Sequence, residues 1–240
     1  MIRRLDQTLA ARGFGSRKEI ASLVRSGLVH VNDAPAHSAA QKIDLERDHI
    51  AVRGEAVCLR EYLYIMLHKP AGVLSATTDP AAPTVLDLLP ARLRRRGLFP
   101  VGRLDKDATG LLLLTDDGAL AHGLLSPRRH VPKTYLVTLH APAAENDIAA
   151  FAAGMELPAA GDRPPERCLP AGLTILEGNT ARVVLHEGKY HQVKRMFSAR
   201  GNQVLALRRE AMGGLRLDES LQPGECRELT EEEIDIIKNS

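Results

Sequence analysis

Val101-Gly-Arg-Leu-Asp-Lys-Asp-Ala-Thr-Gly-Leu-Leu-Leu-Leu-Thr-Asp-Asp-Gly118 is the stretch on which the rest of this 240-residue chain is read. Leu111 to Leu114 is an uninterrupted apolar run, expected as a strand buried on both faces. Thr115-Asp116-Asp117-Gly118 closes it with residues suited to a tight turn. Upstream, Gly102 and Gly110 bracket Arg103, Asp105, Lys106, Asp107 and Thr109. A carboxylate among basic residues, on a loop that feeds a core strand, is held firmly and stays accessible. Such a group serves as a nucleophile or base. The bland alternative is that Asp105 caps a turn and pairs with Arg103 or Lys106.

Composition sets the bounds. Apolar content of 44% and charged content of 26% are those of a soluble globular protein. The length accommodates one large domain or a small one plus a medium one. A net charge of +2 makes whole-chain affinity for polyanions a weak argument, so the distribution of charge matters more. Residues 2–30 carry Arg3, Arg4, Arg12, Arg17, Lys18 and Arg25 against Asp6 and Glu19, whereas Glu228, Glu231, Glu232, Glu233 and Asp235 crowd the C-terminal end. Local basic patches suit a protein that grips a polyanion at chosen places. Cys58, Cys168 and Cys226 are far apart and odd in number, which argues against a disulfide framework or zinc knuckle and for a reducing, cytoplasmic setting. No apolar leader and no membrane-spanning run is evident. With no Trp, four Tyr and four Phe, composition argues against stacking platforms for single strands.

Residues 3–12 are expected as a helix with Leu5 and Leu9 on one face, broken at Gly13-Phe14-Gly15. Ser16 and Glu19 form a capping box for a second helix, with Ile20, Leu23 and Val24 inward, that stops at Gly27. Val29–Val31 and Ile50–Val52 read as short strands. Arg4, Arg17, Lys18 and Arg25 lie off the apolar stripe, either as a solvated face or as a grip on the phosphates of structured RNA. The domain reading is residues 1–55, a linker at 56–61 and a second domain over 62–240.

In the second domain, residues 63–67 are expected as a strand ended by His68-Lys69-Pro70-Ala71-Gly72, with a short helix around Val85, Leu86 and Leu89. Arg92, Arg94, Arg95 and Arg96 cluster ahead of the Asp105 loop. Helices are expected at 119–125, 143–154 and 192–199, and strands at 133–139 and 204–207, with a hairpin joining 173–176 to 181–185. A turn at Gly213-Gly214 and a capping box at Thr230–Glu233, starting a final helix, complete the pattern. Many strands with a few helices between them indicate an α+β domain on a mainly antiparallel sheet.

Gly102-Arg103-Leu104-Asp105, Thr109-Gly110-Leu111 and Thr115–Gly118 together resemble the signature of pseudouridine synthases. Lys133-Thr134-Tyr135 is similar to the second motif of that family, and Glu187–Phe197 to the third. The resemblance implies that Asp105 is catalytic, that Tyr135 stacks on the target base, and that Lys194 pairs with the carboxylate. It further implies substrate contacts by Arg103, which holds the flipped-out base, by Leu207 and by Arg195. Taken alone, Tyr135 is a half-buried strand tyrosine, and Lys194 and Arg195 are solvated residues at the start of an amphipathic helix. His186 and His191 have no third ligand nearby, so no metal is expected. Residues 2–55 resemble the αL RNA-binding domain shared by a small-subunit ribosomal protein and tyrosyl-tRNA synthetases, which implies RNA contact by Arg4, Arg17, Lys18 and Arg25.

Within the family the wording is nearest to the RsuA branch, through Thr84-Val85-Leu86, Ser126-Pro127-Arg128, Gly188-Lys189-Tyr190-His191 and Thr230–Glu233. His68 stands where Asn is common in that branch, and Lys106 where an apolar residue is usual. The implied activity is isomerisation of a specific uridine to pseudouridine in small-subunit (16S) ribosomal RNA, free or in a partly assembled subunit. The implied agent is a cytoplasmic monomer needing no cofactor, because the reaction involves neither redox change nor group transfer. The alternatives are the same chemistry on 23S ribosomal RNA or tRNA, and a non-catalytic RNA-binding protein of ribosome assembly. A metal-dependent nuclease built on Asp105, Asp107, Asp116 and Asp117 is a distant third.

Overall fold

A computed structural model describes residues 2–45, 47–57, 62–94 and 97–240. Cys58, residues 58–61 of the expected linker, and Arg95 and Arg96 of the arginine cluster lie outside the described residues. Chain contacts divide into two units, residues 1–63 with 89–98, and residues 64–88 with 99–240. Residues 89–98, expected within the second domain, thus group with the first unit.

The first unit runs β1 (Ile2–Arg4), α1 (Leu5–Ala11), α2 (Arg17–Arg25), β2 (Val29–Val31), β3 (Ala34–Pro35), β4 (Lys42–Asp44), β5 (Ile50–Val52) and β6 (Glu55–Val57). The expected helix at residue 3 starts at Leu5 instead. Ile2–Arg4 is drawn into antiparallel pairing with β4, so Arg4 is extended and the helix begins only where the ladder ends. The Ser16 capping box forms as expected: Glu19 Oε2 accepts from the Ser16 N–H at 2.7 Å, and Ser16 Oγ accepts from the Glu19 N–H at 3.3 Å. Leu5, Leu9, Ile20, Val24, Val29 and Ile50 close one small core against the sheet β3-β2-β5-β6.

The second unit begins with β7 (Tyr64–Lys69), β8 (Phe99–Pro100), β9 (Thr109–Thr115), α3 (Gly118–Leu125) and β10 (Lys133–Leu139). It continues with α4 (Glu145–Ala153), β11 (Glu156–Leu157), β12 (Glu166–Arg167), β13 (Gly172–Ile175) and β14 (Thr180–Leu185). It ends with α5 (Gln192–Ala199), β15 (Val204–Met212), β16 (Leu215–Arg216), β17 (Cys226–Glu228) and α6 (Glu231–Lys238). The main sheet has the order β13-β14-β10-β15-β9-β7-β17, with β16 on β15 and β8 on β9. The β15–β9 pairing is parallel and the other pairings in that sheet are antiparallel. The Leu111–Leu114 run is buried on both faces, as its composition requires. The helix expected around Val85 does not form. Thr84 N–H and Oγ1–H both donate to the Asp87 carboxylate, at 2.8 and 2.9 Å, and this local bonding outcompetes a helical turn.

The sheet has a seam. The β9–β15 ladder spans only Thr109↔Arg208 and Gly110↔Arg209. Its register aligns Tyr135, Arg209, Gly110 and Lys69 in one row across β10, β15, β9 and β7. Arg209 Nε–H reinforces the junction by donating to the Leu111 carbonyl at 2.8 Å. Chemistry-bearing residues remote in sequence meet along this row.

Candidate active site

The Asp105 loop is anchored from beneath. Ser75 Oγ donates to the Leu104 carbonyl at 3.0 Å and accepts from the Leu104 N–H at 3.1 Å. Gly72 N–H donates to the Lys106 carbonyl, and Ala108 N–H to that of Asp105. Lys69, fully buried, donates through Nζ to the carbonyls of Pro70, Lys106 and Ala108 at 3.0, 3.2 and 2.8 Å. Proline and glycine at positions 70 and 72 turn the chain just after Lys69, which puts its ammonium under the loop.

Helix α5 and the residue before it bring two nitrogens to Asp105. Lys194 Nζ lies 3.5 Å from Asp105 Oδ2, and His191 Nε2 lies 3.5 Å from Asp105 Oδ1. The expected Lys194 pairing is thus present but shared, because Nζ bonds both oxygens of Asp107 at 2.7 Å. That bond holds the Asp107 carboxyl below the ordinary carboxylate range, against the opposing effect of desolvation. Two carboxylates, Asp105 and Asp107, therefore face Lys194, Lys69 and His191. Burial pushes the Lys69 ammonium down to about 8, although Asp107 and Asp105 attract it.

Tyr135 is 9% exposed and packs in one cluster with Leu104, Ala108, Val193 and Leu207. These are the apolar neighbours of Asp105 and Lys194, with Leu207 beside them. Arg103 is exposed on the same loop. Arg195 departs from its expected part as a substrate contact. It is buried, with Nε–H on the Pro158 carbonyl and Nη1–H on Glu166 and the Tyr190 carbonyl. Nε and Nη1 thus brace the segments around Pro158, Glu166 and Tyr190, while Nη2 is buried without a hydrogen-bond partner among the described residues. The carboxylates of the nuclease reading do not gather: Asp105 and Asp107 share Lys194, and Asp117 is engaged elsewhere. Asp117 caps α3 through the Leu120 N–H and accepts from Tyr64 Oη–H, and among the described residues no three His, Cys, Asp or Glu side chains are placed to share a metal.

In the first unit Arg17, Lys18 and Arg25 are exposed on α2. Arg4 is exposed as well, but its guanidinium forks onto Asp6 at 2.7 and 3.0 Å. Beside it lies an open cleft of about 570 Å³, lined by Arg3, Arg4, Gln7, Arg12 and Lys42 among others. Arg3 and Arg12 entered the charge count of the chain, but only the pairing of β1 with β4 brings Lys42 to them.

Residues 63–199 match the model of the RNA pseudouridylate synthase family, and residues 3–50 match the S4 domain. The chain is an RNA pseudouridine synthase. It is 45% identical over 238 residues to the "Uncharacterized RNA pseudouridine synthase YtzG" of Bacillus subtilis, covering 98% of each chain. It is 43% identical over 232 residues to the "Ribosomal small subunit pseudouridine synthase A" of Escherichia coli K12, covering 96% of this chain and 98% of that one. A solved "pseudouridylate synthase" superposes with a TM-score of 0.67 at 40% identity, over 98% of this chain and 99% of the other.

The synthase places beside Asp105 residues to which sequence reasoning gave no part in the isomerisation: Lys69 and Ser75, and Asp107 and His191, which were weighed only as metal ligands. Pro-Gly turn chemistry at 70–72 was visible, but nothing local signals that Lys69 points under a loop 37 residues later. Lys69→Met strips three buried carbonyls of a charged donor, and the expected loss is about 3 kcal/mol. The pH dependence tests the cause. A lysine at about 8 in the fold and near 10.4 when unfolded leaves the unfolded chain binding more protons in between. Stability of the wild type should therefore rise relative to Lys69→Met from pH 8 to about 10.4, measured by paired urea titrations. A gap that stays flat over that window would show that Lys69 titrates normally.

No helix among the described residues is long and apolar enough to cross a membrane.

Proposed function

We propose that this synthase converts a specific uridine of small-subunit ribosomal RNA to pseudouridine, with Asp105 as nucleophile. The observation that carries the chemistry is Asp105 on a loop pinned by Lys69 and Ser75 and faced at 3.5 Å by both Lys194 and His191. The substrate class rests on full-length similarity to proteins named as small-subunit synthases, at 43% identity in Vibrio cholerae as in Escherichia coli. The compartment that fits such a substrate is the cytoplasm. The domain division 1–55, 56–61 and 62–240 is retained as the working boundary between RNA grip and chemistry.

The reaction breaks the C1′–N1 bond, turns the uracil and joins C5 to C1′, with the C5 proton lost and N1 gaining one. Asp105 bonds C1′ as the N1 bond breaks, holds the sugar while the base turns, and leaves again as carboxylate when C5 bonds C1′; Lys194 and His191 stabilise the charge that moves between carboxylate and sugar. Tyr135 and Leu207 line the apolar side on which the uracil rests, and Arg103 holds the extruded conformation. Extrusion costs a few kcal/mol, offset by phosphate contacts elsewhere on the enzyme. The working set is complete without metal or organic cofactor, and the enzyme acts as a monomer.

Tritium release from [5-³H]uridine-labelled 16S RNA, without added metal or cofactor, is the direct test, because the C5 hydrogen exchanges. Release from 16S RNA or a small-subunit assembly intermediate is the expected result. Release confined to 23S RNA or tRNA would overturn the substrate assignment, and silence on all of them would favour a non-catalytic assembly protein. Charge reversal at Arg17 and Lys18 should weaken RNA binding by about tenfold or more at low salt and by less at high salt. Equal affinity of variant and wild type at both salts would remove α2 from the RNA-binding face.

A further inference from the structure

Beside Asp105, His191 is one member of a stack whose outer members, Tyr190 and Arg163, have no part in the isomerisation as proposed. The rings of Tyr190 and His191 are parallel within 17° with centroids 3.8 Å apart, and the Arg163 guanidinium lies over the Tyr190 ring at 4.7 Å. Consecutive side chains normally diverge, so this stacking needs an unusual backbone. His191 supplies it by adopting left-handed φ 48, ψ 35, a conformation that costs a non-glycine residue energy and that concentrates at functional sites. The stack is held at both ends. Arg195 Nη1–H donates to the Tyr190 carbonyl at 3.2 Å, and His191 Nε2 lies 3.5 Å from Asp105. It is also open, with Tyr190 43% exposed, whereas Tyr135 on the other side of the site is 9% exposed. Composition argued against any stacking platform, but one aromatic pair in the right place suffices.

We propose that Arg163, Tyr190 and His191 form a stacking site for an unpaired nucleobase of the substrate RNA, that of the nucleotide next to the target uridine. Extruding a base uncovers the faces of its neighbours. Aromatic rings and arginine planes are what proteins present to such faces in unpaired RNA. The uncovered neighbour is one nucleotide from the sugar at Asp105, and the stack begins at the side chain that touches Asp105. Arg163 adds a positive charge at its far end for the adjoining phosphate. This site rests on the reading of the protein as an RNA-modifying enzyme and deepens it, because a base read here contributes to the choice of uridine.

The test is a double-mutant cycle between protein and RNA. Fragments of 16S RNA spanning the uridine mapped by tritium release are made with the 5′ or the 3′ neighbour intact or abasic. Affinity and single-turnover rate are measured for wild type, Tyr190→Ala and Tyr190→Phe. Tyr190→Ala should raise Kd for intact RNA roughly tenfold. Wild type should lose a similar factor on RNA abasic at one of the two neighbours, with no further loss when both changes are combined. Tyr190→Phe should bind as wild type does, and the single-turnover rate at saturating RNA should hold in all three. Losses that multiply at both neighbours, or wild type that binds RNA abasic at the 5′ neighbour and RNA abasic at the 3′ neighbour both as tightly as intact RNA, would overturn the site whatever the folding of the variants. Wild type that releases no tritium from any RNA fails at the earlier step, and the enzymatic reading falls together with this one.

Discussion

Replacing Asp105 with asparagine is expected to cut tritium release at least about a thousandfold while leaving RNA affinity within about twofold. The substitution keeps the shape of the side chain and removes its charge, so the loop pinned by Ser75, Gly72 and Lys69 has no reason to move. Lys194 keeps its bonds at 2.7 Å to Asp107 and is not released into the site. What disappears is the group proposed to bond the sugar, and an amide cannot take that part. The proposed RNA grip is spread over the exposed cations of α2 and Arg103, so affinity should survive. Single-turnover rates and filter binding on the same preparations separate the two effects. Residual activity above a few per cent of wild type would show that the nucleophile lies elsewhere, and Asp107 would then be next to be tested.

Gly110→Ala is expected to cost about 3 kcal/mol or more and to take activity with it. Two independent observations converge on this residue. Its φ is +103, a region side chains rarely adopt, and a Cβ there would overlap the backbone carbonyl and nitrogen of Arg209. The neighbour is backbone in a ladder only two residues long, so relief requires opening the seam between β9 and β15. Opening it separates Asp105 and Lys69 on one side from Tyr135 on the other, which is why rate and stability should fall together. Gly161→Ala is the control: φ there is +57, but no atom lies within 4 Å of the added methyl, so the expected loss is about 1 kcal/mol. Thermal unfolding of both variants decides the matter. Equal shifts for the two would mean that the strand contact at Gly110 yields cheaply.

Much of the fold was legible because it is local. The capping boxes at Ser16 and Thr230 depend on residues three apart, and both form. The helix at 192–199 shows its apolar stripe in about two turns of sequence, and it appears with those bounds. The Leu111–Leu114 run could only be a strand covered on both sides. The misses were also local in kind but decided by distant partners. β1 displaced the start of the first helix because β4, some forty residues on, offered it a ladder. Arg195 looked like a surface cation of an amphipathic helix until Glu166 and the Pro158 carbonyl claimed it.

The amino-acid sequence by itself determined the family, the α+β class, the elements that carry each motif and the identity of Asp105, Tyr135 and Lys194 as the candidates for chemistry. Residue type and short-range spacing give the class, the elements and an anchored carboxylate at Asp105, whereas the family and the candidacy of Tyr135 and Lys194 come from the resemblance of their motifs to those of pseudouridine synthases. Tertiary structure alone decided that Lys69 lies under the loop, that Asp107 shares Lys194 across 87 residues of chain, and that His191 both faces Asp105 and stacks on Tyr190. Those relations depend on strand order and on a single parallel pairing of two residues. Register between strands remote in sequence is set by the packing of the whole sheet, and no local pattern encodes it.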